Sequence, residues 1–514
     1  MINIRLNLII PFSLLIYLFI NCRSNNQNSE KKPNIIIIYT DDLGYGDVSA
    51  YKKGTLNTPN IDKLANEGIR FTNGYSSSAT CSPSRYALLT GTYPWRNAEA
   101  KIITGGSLII DTNEVTIPKL LKQNGYQTAI VGKWHLGLGL NKIDYNSTIS
   151  PGPNELGFNY TYIMPDTQDR VPTVYVENGK VVNLDPKDPI EVDFKNNFQD
   201  QPTGKANPEL LKMKWHHGHN GSIVNGISRI GFMKGGETAK WSDIGMADHF
   251  LEKAKSYIKE NKDNSFFLFY ALQQPHVPRT PHPRFKGKSG MGPRGDAIIE
   301  ADWCVGELYK TLESEGIIDN TLIIFSSDNG PVLNDGYYDD AVEKIGDHTP
   351  SGGLRGGKYS LFEAGTRVPF ISYWKNRIKP TISNKIISQV DILSSVAKII
   401  GSEYRSQDGK DLSGLILDNL GAGRNELILE ATTRTAYRNG DWVMIPPYKG
   451  KEISKNVNIE LGNSKIYKLF NLKDDPSQKI NLSNKNLKKL EEMIANFNRI
   501  RGEKYSNSKD LILE

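Results

Sequence analysis

Five short runs of this chain hold residues whose types and placement are those of a reaction centre. They are Thr40-Asp41-Asp42, the run Gly132-Lys133-Trp134-His135, Gln273-Gln274-Pro275-His276, Asp328-Asn329-Gly330, and the glycine-rich loop "SGGLRGGKYSLFEAG" with Lys358. Asp41, Asp42, Asp328 and Asn329 offer hard oxygen donors, the ligand set of Ca2+ or Mg2+. Lys133, Lys358 and Arg85 offer fixed positive charge to a tetrahedral oxyanion. His135 and His276 can donate hydrogen bonds or move protons. No Cys/His spacing points to zinc. Taken one at a time, Asp-Asp and Asp-Asn-Gly are ordinary turn formers. Taken together, they describe a site for an anionic ester, either sulfate or phosphate.

The elements that must position these residues are legible as an alternation of β-branched runs and helical segments. "NIIIIY" (34–39), "QTAIVG" (127–132), "SFFLFYAL" (265–272), "TLIIFSS" (321–327) and "RVPFISYW" (367–374) read as buried strands. "TPNIDKLANEG" (58–68), "TIPKLLKQNG" (116–125) and "SQVDILSSVAKIIG" (388–401) read as helices ending near Gly. Apolar strands between helices predict an α/β fold with a large, mainly parallel sheet. Ligands of such sheets bind beyond the carboxyl ends of the strands, where four of the five runs fall. The stretch 140–240, rich in Gly, Pro and Asn, is expected to be loops laid over the sheet. From about 405 the texture changes to hairpin-like strands, with turns at Asn439-Gly440 and Asp475-Pro476, and then a closing charged helix. A catalytic domain over 33–404 and a smaller antiparallel subdomain over 405–514 follow from that change.

The first 21 residues pair Arg5 with an apolar stretch, Leu6 to Ile20, which reads as an export signal. Cys22 follows directly, then a polar tether to residue 32. The order matches a bacterial lipoprotein leader, with lipid on Cys22, a membrane anchor through it and a periplasmic or cell-surface location. The 63 basic and 57 acidic residues leave a net charge of +6, and nothing marks a nucleic-acid partner. Two other cysteines remain. Cys304 sits at an apolar position of a helix and reads as a small buried hydrophobe. Cys81 lies in "ATCSPSRYALLTG", where Pro83 fits a first helical turn. A soft thiolate beside hard-oxygen ligands is a poor match, and an oxygen nucleophile would fit the site better.

"CSPSR" followed by "LLTG" resembles the C-x-P-x-R signature of the type I sulfatases. "TDDLGYGD", "GKWHLG", "PHVP", "SDNG" and "LRGGKYSLFEAGTRVP" match further blocks of that family, in its order, over roughly 33–375. "YRNGDWVMI" and "LFNLKDDPSQKINLS" match more loosely, with Met444 where the family often has Lys. The resemblance implies an alkaline-phosphatase-like fold and conversion of Cys81 to Cα-formylglycine by a separate maturation enzyme. It implies Ca2+, in preference to Mg2+, on Asp41, Asp42, Asp328, Asn329 and modified Cys81. Arg85 would hold the formylglycine hydrate, and Lys133, His135, His276 and Lys358 would surround the sulfate. One hydroxyl of the hydrate would attack sulfur, and the second would let sulfate depart. His276 or Lys358 would protonate the leaving alcohol.

Residues 151–192 and 215–236 look like those of carbohydrate sulfatases from polysaccharide-degrading Bacteroidetes, some of which act on 6-sulfated Gal or GalNAc. Arg170, His217, Asp347 and His348 are candidate sugar contacts. His216, His217 and His219 read as hydrogen-bonding loop residues rather than a metal cluster. Usage rich in Asn, Lys and Ile tilts the expected substrate toward an algal polysaccharide, such as ulvan or a galactan, over a chondroitin-type one. Two other readings remain: a phosphonate monoester or phosphodiester hydrolase of the same superfamily, and a non-catalytic glycan-binding lipoprotein.

Overall fold

The computed structural model describes residues 32–54 and 56–502. The leader 1–21, Cys22 and nearly all of the tether lie outside the described residues. No helix among the described residues is long and apolar enough to cross a membrane.

Ten strands form the main sheet. They are β1 (Asn34–Thr40), β2 (Ile69–Tyr75), β3 (Gln127–Lys133), β4 (Tyr160–Met164), β5 (Val176–Glu177), β6 (Lys180–Val181), β7 (Phe266–Ala271), β8 (Thr321–Ser327), β9 (Phe370–Tyr373) and β10 (Thr381–Ser388). Their order is β10-β2-β9-β8-β1-β7-β3-β4-β5-β6. The five central strands, β8-β1-β7-β3-β4, are all parallel, so their carboxyl ends share one edge. β9 runs antiparallel to both its neighbours, which makes the sheet mixed.

The central strands are apolar on both faces because both faces are covered. Along β1, Ile35, Ile37 and Tyr39 face one core, and Ile36 and Ile38 face the other. Leu88 and Leu89 of α2 (Cys81–Thr90), Leu121 of α3 (Ile117–Gln123) and Val396 of α6 (Ile392–Ile399) fill the first. Leu64 of α1 (Pro59–Glu67), Leu251 of α4 (Met246–Asn261) and Leu308 of α5 (Gly292–Ser314) fill the second, with Cys304 beside them. Burying a Leu or Ile side chain contributes about 1.5–3 kcal/mol.

Five of the ten strands were not legible in the sequence: β2, β4, the short β5 and β6, and β10 at the sheet edge. β2, "IRFTNGY", is only partly apolar, yet it lies between β10 and β9 and leads into α2. β4 falls in the stretch expected to be loops and instead continues the parallel run beside β3. Its Tyr and Ile residues suit a strand, but the surrounding Gly, Asn and Pro mask the pattern.

Near the C-terminus, β11 (Glu426–Ala431), β12 (Arg434–Asn439), β13 (Trp442–Ile445) and β14 (Lys468–Asn471) form an antiparallel sheet in sequence order. The Asn439-Gly440 turn joins β12 to β13 as expected. The turn at Asp475 follows β14 but opens no further strand. Met493 and Phe497 of α7 (Leu487–Arg501) pack on this sheet, together with Tyr75, Ala79 and Phe362 from the earlier part of the chain. Its edge also reaches the start of α2, because the Ala79 N–H donates to the Glu430 carbonyl (2.7 Å).

The Glu430 side chain is 1% exposed, and burial pushes its carboxyl up to about 8, with Arg501 opposing. A carboxyl raised on folding stabilises the fold fully below its ordinary value. That contribution is lost as pH rises through the raised value. Glu430→Gln is therefore expected to flatten the fall in thermal midpoint from about pH 5 to about pH 8. A parallel decline in variant and parent, followed by melting across that range, would refute this assignment.

Candidate active site

The site sits where β1, β3, β7 and β8 end. After β1, the Asp41 N–H donates to the Gln274 carbonyl (3.0 Å) and Asp42 takes a left-handed φ of 62°. That turn brings both carboxylates to the sheet edge. Asp328 follows β8 and accepts the Asp42 N–H (3.2 Å), tying the two strand ends together. Gly330 is required by space, since a Cβ there would lie 1.6 Å from the Ala364 carbonyl oxygen. Cys81 begins α2, preceded by Thr80 in extended conformation and followed within the first turn by Pro83. Gly91, at φ 63°, closes this helix with its N–H on the Ala87 carbonyl.

These elements bring donor atoms of Asp41, Asp42, Cys81 and Asp328 within 4.8 Å of one another, all buried. The Cys81 Sγ is 3.6 Å from Asp41 Oδ1. Cations meet the carboxylates from three sides. Lys133 Nζ donates to Asp41. Arg85 donates from Nε (3.1 Å) and Nη2 (2.8 Å) to Asp328 Oδ2, and from Nη1 to the Lys133 carbonyl (3.1 Å). Lys358 Nζ bridges Asp42 Oδ2 (2.9 Å) and Asp335 Oδ2 (2.8 Å). Asn329 Nδ2 donates to Asp42 Oδ1 (2.7 Å), while its own Oδ1 is buried without a partner. Burial, helped by the charge of Asp328, raises Asp41 to about 6. Burial likewise pushes the Cys81 thiol well up.

Above this floor opens a cavity of about 100 Å³. Cys81, His135, His276, Lys358, Arg170 and His217 line it, as do Asp169, His219, Asp335 and Tyr359. His135 Nε2 faces the Ile103 carbonyl (3.0 Å), which can only accept, so that nitrogen carries the proton. Its Nδ1 is buried and has no partner. His276 is the reverse, with Nδ1 on the Val277 carbonyl (2.7 Å) and Nε2 turned toward Asp42, 3.9 Å away. Burial, reinforced by the nearby lysine charges, holds both imidazoles well below the usual histidine range.

The sequence-predicted residues therefore divide. Asp41, Asp42, Asp328, Asn329, Cys81, Arg85 and Lys133 form the floor, and His135, His276, Lys358, Arg170 and His217 line the cavity. Asp347 and His348, expected to touch the sugar, do not line it. His348 Nε2 bonds Asp47 Oδ1 (2.9 Å), whose carboxylate is also held by Arg294, and Asp347 is exposed. His348 thus hydrogen-bonds a buried carboxylate instead. Sequence reasoning missed Asp335, Asp169 and Tyr359. "NDGYYDD" around Asp335 reads as a turn, and only the fold shows that Asp335 reaches Lys358.

The comparisons agree with this geometry. A family model described as Sulfatase matches residues 33–402. The chain belongs to the sulfatase family. It is 48% identical over 467 residues to the N-acetylgalactosamine-6-O-sulfatase of Bacteroides thetaiotaomicron, covering 90% of this chain and 91% of that protein. Human arylsulfatase A is 30% identical over 397 residues, covering 75% and 68% respectively. A solved structure from glycosaminoglycan metabolism in Bacteroides thetaiotaomicron superposes with a TM-score of 0.90 at 46% identity, over 91% of this chain and 99% of that one. A sulfatase from Pseudoalteromonas sp. gives 0.68 at 26% identity, over 93% and 92%. The protein is a sulfuric ester hydrolase.

In this sulfatase, the loop with Lys358 is held largely by the C-terminal sheet region. Arg434 Nη2 donates to the Tyr359 carbonyl (3.0 Å), the Leu361 N–H to the Leu461 carbonyl (3.2 Å) and the Glu363 N–H to Gln478 Oε1 (2.7 Å). Tyr359 has a φ of 72°, a left-handed backbone that a side chain disfavours and that these contacts maintain. Arg434→Lys keeps the charge but loses the planar fork. It is expected to lower kcat by about tenfold through misplacement of Lys358, with little change in KM. Steady-state kinetics read this directly; a variant with unaltered kcat would show that the clamp has no part in the chemistry.

Proposed function

We propose that this sulfatase removes 6-O-sulfate from N-acetylgalactosamine in a sulfated carbohydrate. The observation that carries the reading is a cavity whose floor is Cys81 and whose inner end is Lys358, His135 and His276, in a chain 48% identical to an N-acetylgalactosamine-6-O-sulfatase over nearly its whole length. The algal preference drawn from residue usage yields to that likeness, which covers the sugar-facing segments as well as the catalytic blocks. Arg170 and His217 stand where the sugar would lie. Arg170 is braced by Asp169 Oδ1 (3.1 Å) and Thr167.

Cα-formylglycine at Cys81 fits the position. It would replace a thiol with hydrate oxygens, the donor type that Asp41, Asp42 and Asp328 require around a hard cation. Ca2+ fits as well. Three buried carboxylates converge there, a fourth, Asp335, shares Lys358 with Asp42, and the neighbouring Asn329 Oδ1 is left without a partner, so oxygen donors outnumber the three cations that meet them. The ion, when bound, supplies Lewis-acid charge at the attacking oxygen. The chain's own residues do the remainder. Arg85 holds the wall of the floor by pairing with Asp328, and Lys133 offsets Asp41. Lys358 and His276 face the ester from the cavity side, placed to offset charge on the sulfuryl group and to serve the leaving alcohol. Export through the leader, with lipid on Cys22, remains part of this proposal and agrees with a polymeric substrate met outside the cell.

Protein from a maturation-competent host is expected to show the Cys81 peptide lighter by the difference between CH2SH and CHO. Cys81→Ala should abolish turnover, so full activity in an unmodified chain would reject the mechanism. Ester hydrolysis should be far faster for 6-sulfated N-acetylgalactosamine, read as sulfate released, than for an aryl phosphonate monoester, read as phenol released. The opposite ranking would support the phosphonate hydrolase reading, and no turnover of either would support the glycan-binding one. Chelation should lower the thermal midpoint as well as the rate, and Ca2+ should restore both, because an ion bound only by the folded chain stabilises it.

A further inference from the structure

Beyond the cavity floor runs a row of rings that the chemistry at Cys81 does not use. It begins at buried Tyr337, whose ring lies 4.7 Å from that of His219. His219 lies 6.1 Å from His217, and His217 lies 5.0 Å from His216. His216 in turn lies edge-on to Tyr338 at 4.8 Å. His217 and His219 line the cavity, and Tyr338 is 58% exposed. The row thus leads from the cavity wall to open solvent.

The outer end of this row is built rather than loose. The His216 N–H donates to the Gly336 carbonyl (2.7 Å), and the Tyr338 N–H donates to the Lys214 carbonyl (2.9 Å). These bonds lock the two ring-bearing segments side by side. Gly336, at φ 100°, permits the close approach, since a Cβ there would lie 1.9 Å from His219 Nδ1. Behind the rings, Tyr337 anchors its hydroxyl on the Ser228 carbonyl (2.7 Å). A large exposed ring on a fixed backbone loses little freedom when a ligand covers it.

The chemistry of the site changes along its length. The inner end offers Lys358, His135 and His276 to an anion, and the outer end offers ring faces and edges. The C–H face of a sugar ring is an apolar surface that packs against such rings. We propose that His216 and Tyr338 form an outer subsite for the sugar ring joined to the sulfated one, so that the enzyme prefers an oligosaccharide to a sulfated monosaccharide. This rests on the carbohydrate-sulfatase reading and adds the direction in which the rest of the chain leaves the cavity.

The measurement is the ratio of kcat/KM for a 6-sulfated N-acetylgalactosamine oligosaccharide to that for the 6-sulfated monosaccharide. In Tyr338→Ala this ratio is expected to fall about fivefold to tenfold, through KM for the oligosaccharide. Tyr338→Phe, which keeps the ring, is expected to retain the parent ratio. An unchanged ratio in Tyr338→Ala overturns the subsite, as does an equal fall in Tyr338→Phe, because the hydroxyl would then be the contact. If the parent enzyme releases sulfate from neither sugar, the carbohydrate reading fails and the subsite falls with it. A parent that turns over both, with no response to Tyr338→Ala, overturns the subsite alone.

Discussion

Three carboxylates buried at one sheet edge are the constraint on which the rest of the structure depends. Asp41, Asp42 and Asp328 have no exposed surface. Carboxylates cannot stay ionised there unless opposite charge or hydrogen bonds meet each one. The fold answers with a cation from a different element for each: Lys133 from the end of β3, Arg85 from α2 and Lys358 from the glycine-rich loop. These pairings dictate where the strands end, why α2 must start beside β1, and why the loop must return to the sheet. Neutralisation is still incomplete, because Asp335 adds a fourth carboxylate against those three cations. The imbalance leaves negative charge in excess at the floor of the site.

Half of the main sheet's strands, including four of the five central ones, and nearly all of the floor were legible in the sequence, for a common reason. Doubly covered parallel strands must be apolar throughout, so "NIIIIY" and "TLIIFSS" announce themselves, and the polar residue ending each run marks the ligand-bearing edge. β2 and β10 escaped because they are only partly buried and mix polar with apolar residues, β5 and β6 because they are two residues long, and β4 because Gly, Asn and Pro surround it. The misjudged contacts were of another kind. His348 was a candidate sugar contact, but its partner, Asp47, is 301 residues away. Asp335 was invisible for the same reason, since its meaning comes entirely from Lys358.

The C-terminal region illustrates how chemistry can depend on residues that perform none. The loop 351–365 is rich in glycine and has few side chains with which to hold itself. Its backbone bonds are completed by Arg434, Leu461 and Gln478, far along the chain. A boundary near residue 404 separates two textures of sequence, but it does not separate the catalytic apparatus from its support.

The burial of α2 sets an order of events. Ser82, Ser84 and Arg85 are wholly inaccessible and Cys81 is 3% exposed, so every residue of the "CSPSR" signature is sealed inside the finished molecule. A second protein cannot read that signature once the sheet has closed over it. The conversion of Cys81 proposed above would therefore have to precede folding, on a chain still extended. A molecule that folded first would keep the rest of the signature buried, with Cys81 meeting only the cavity.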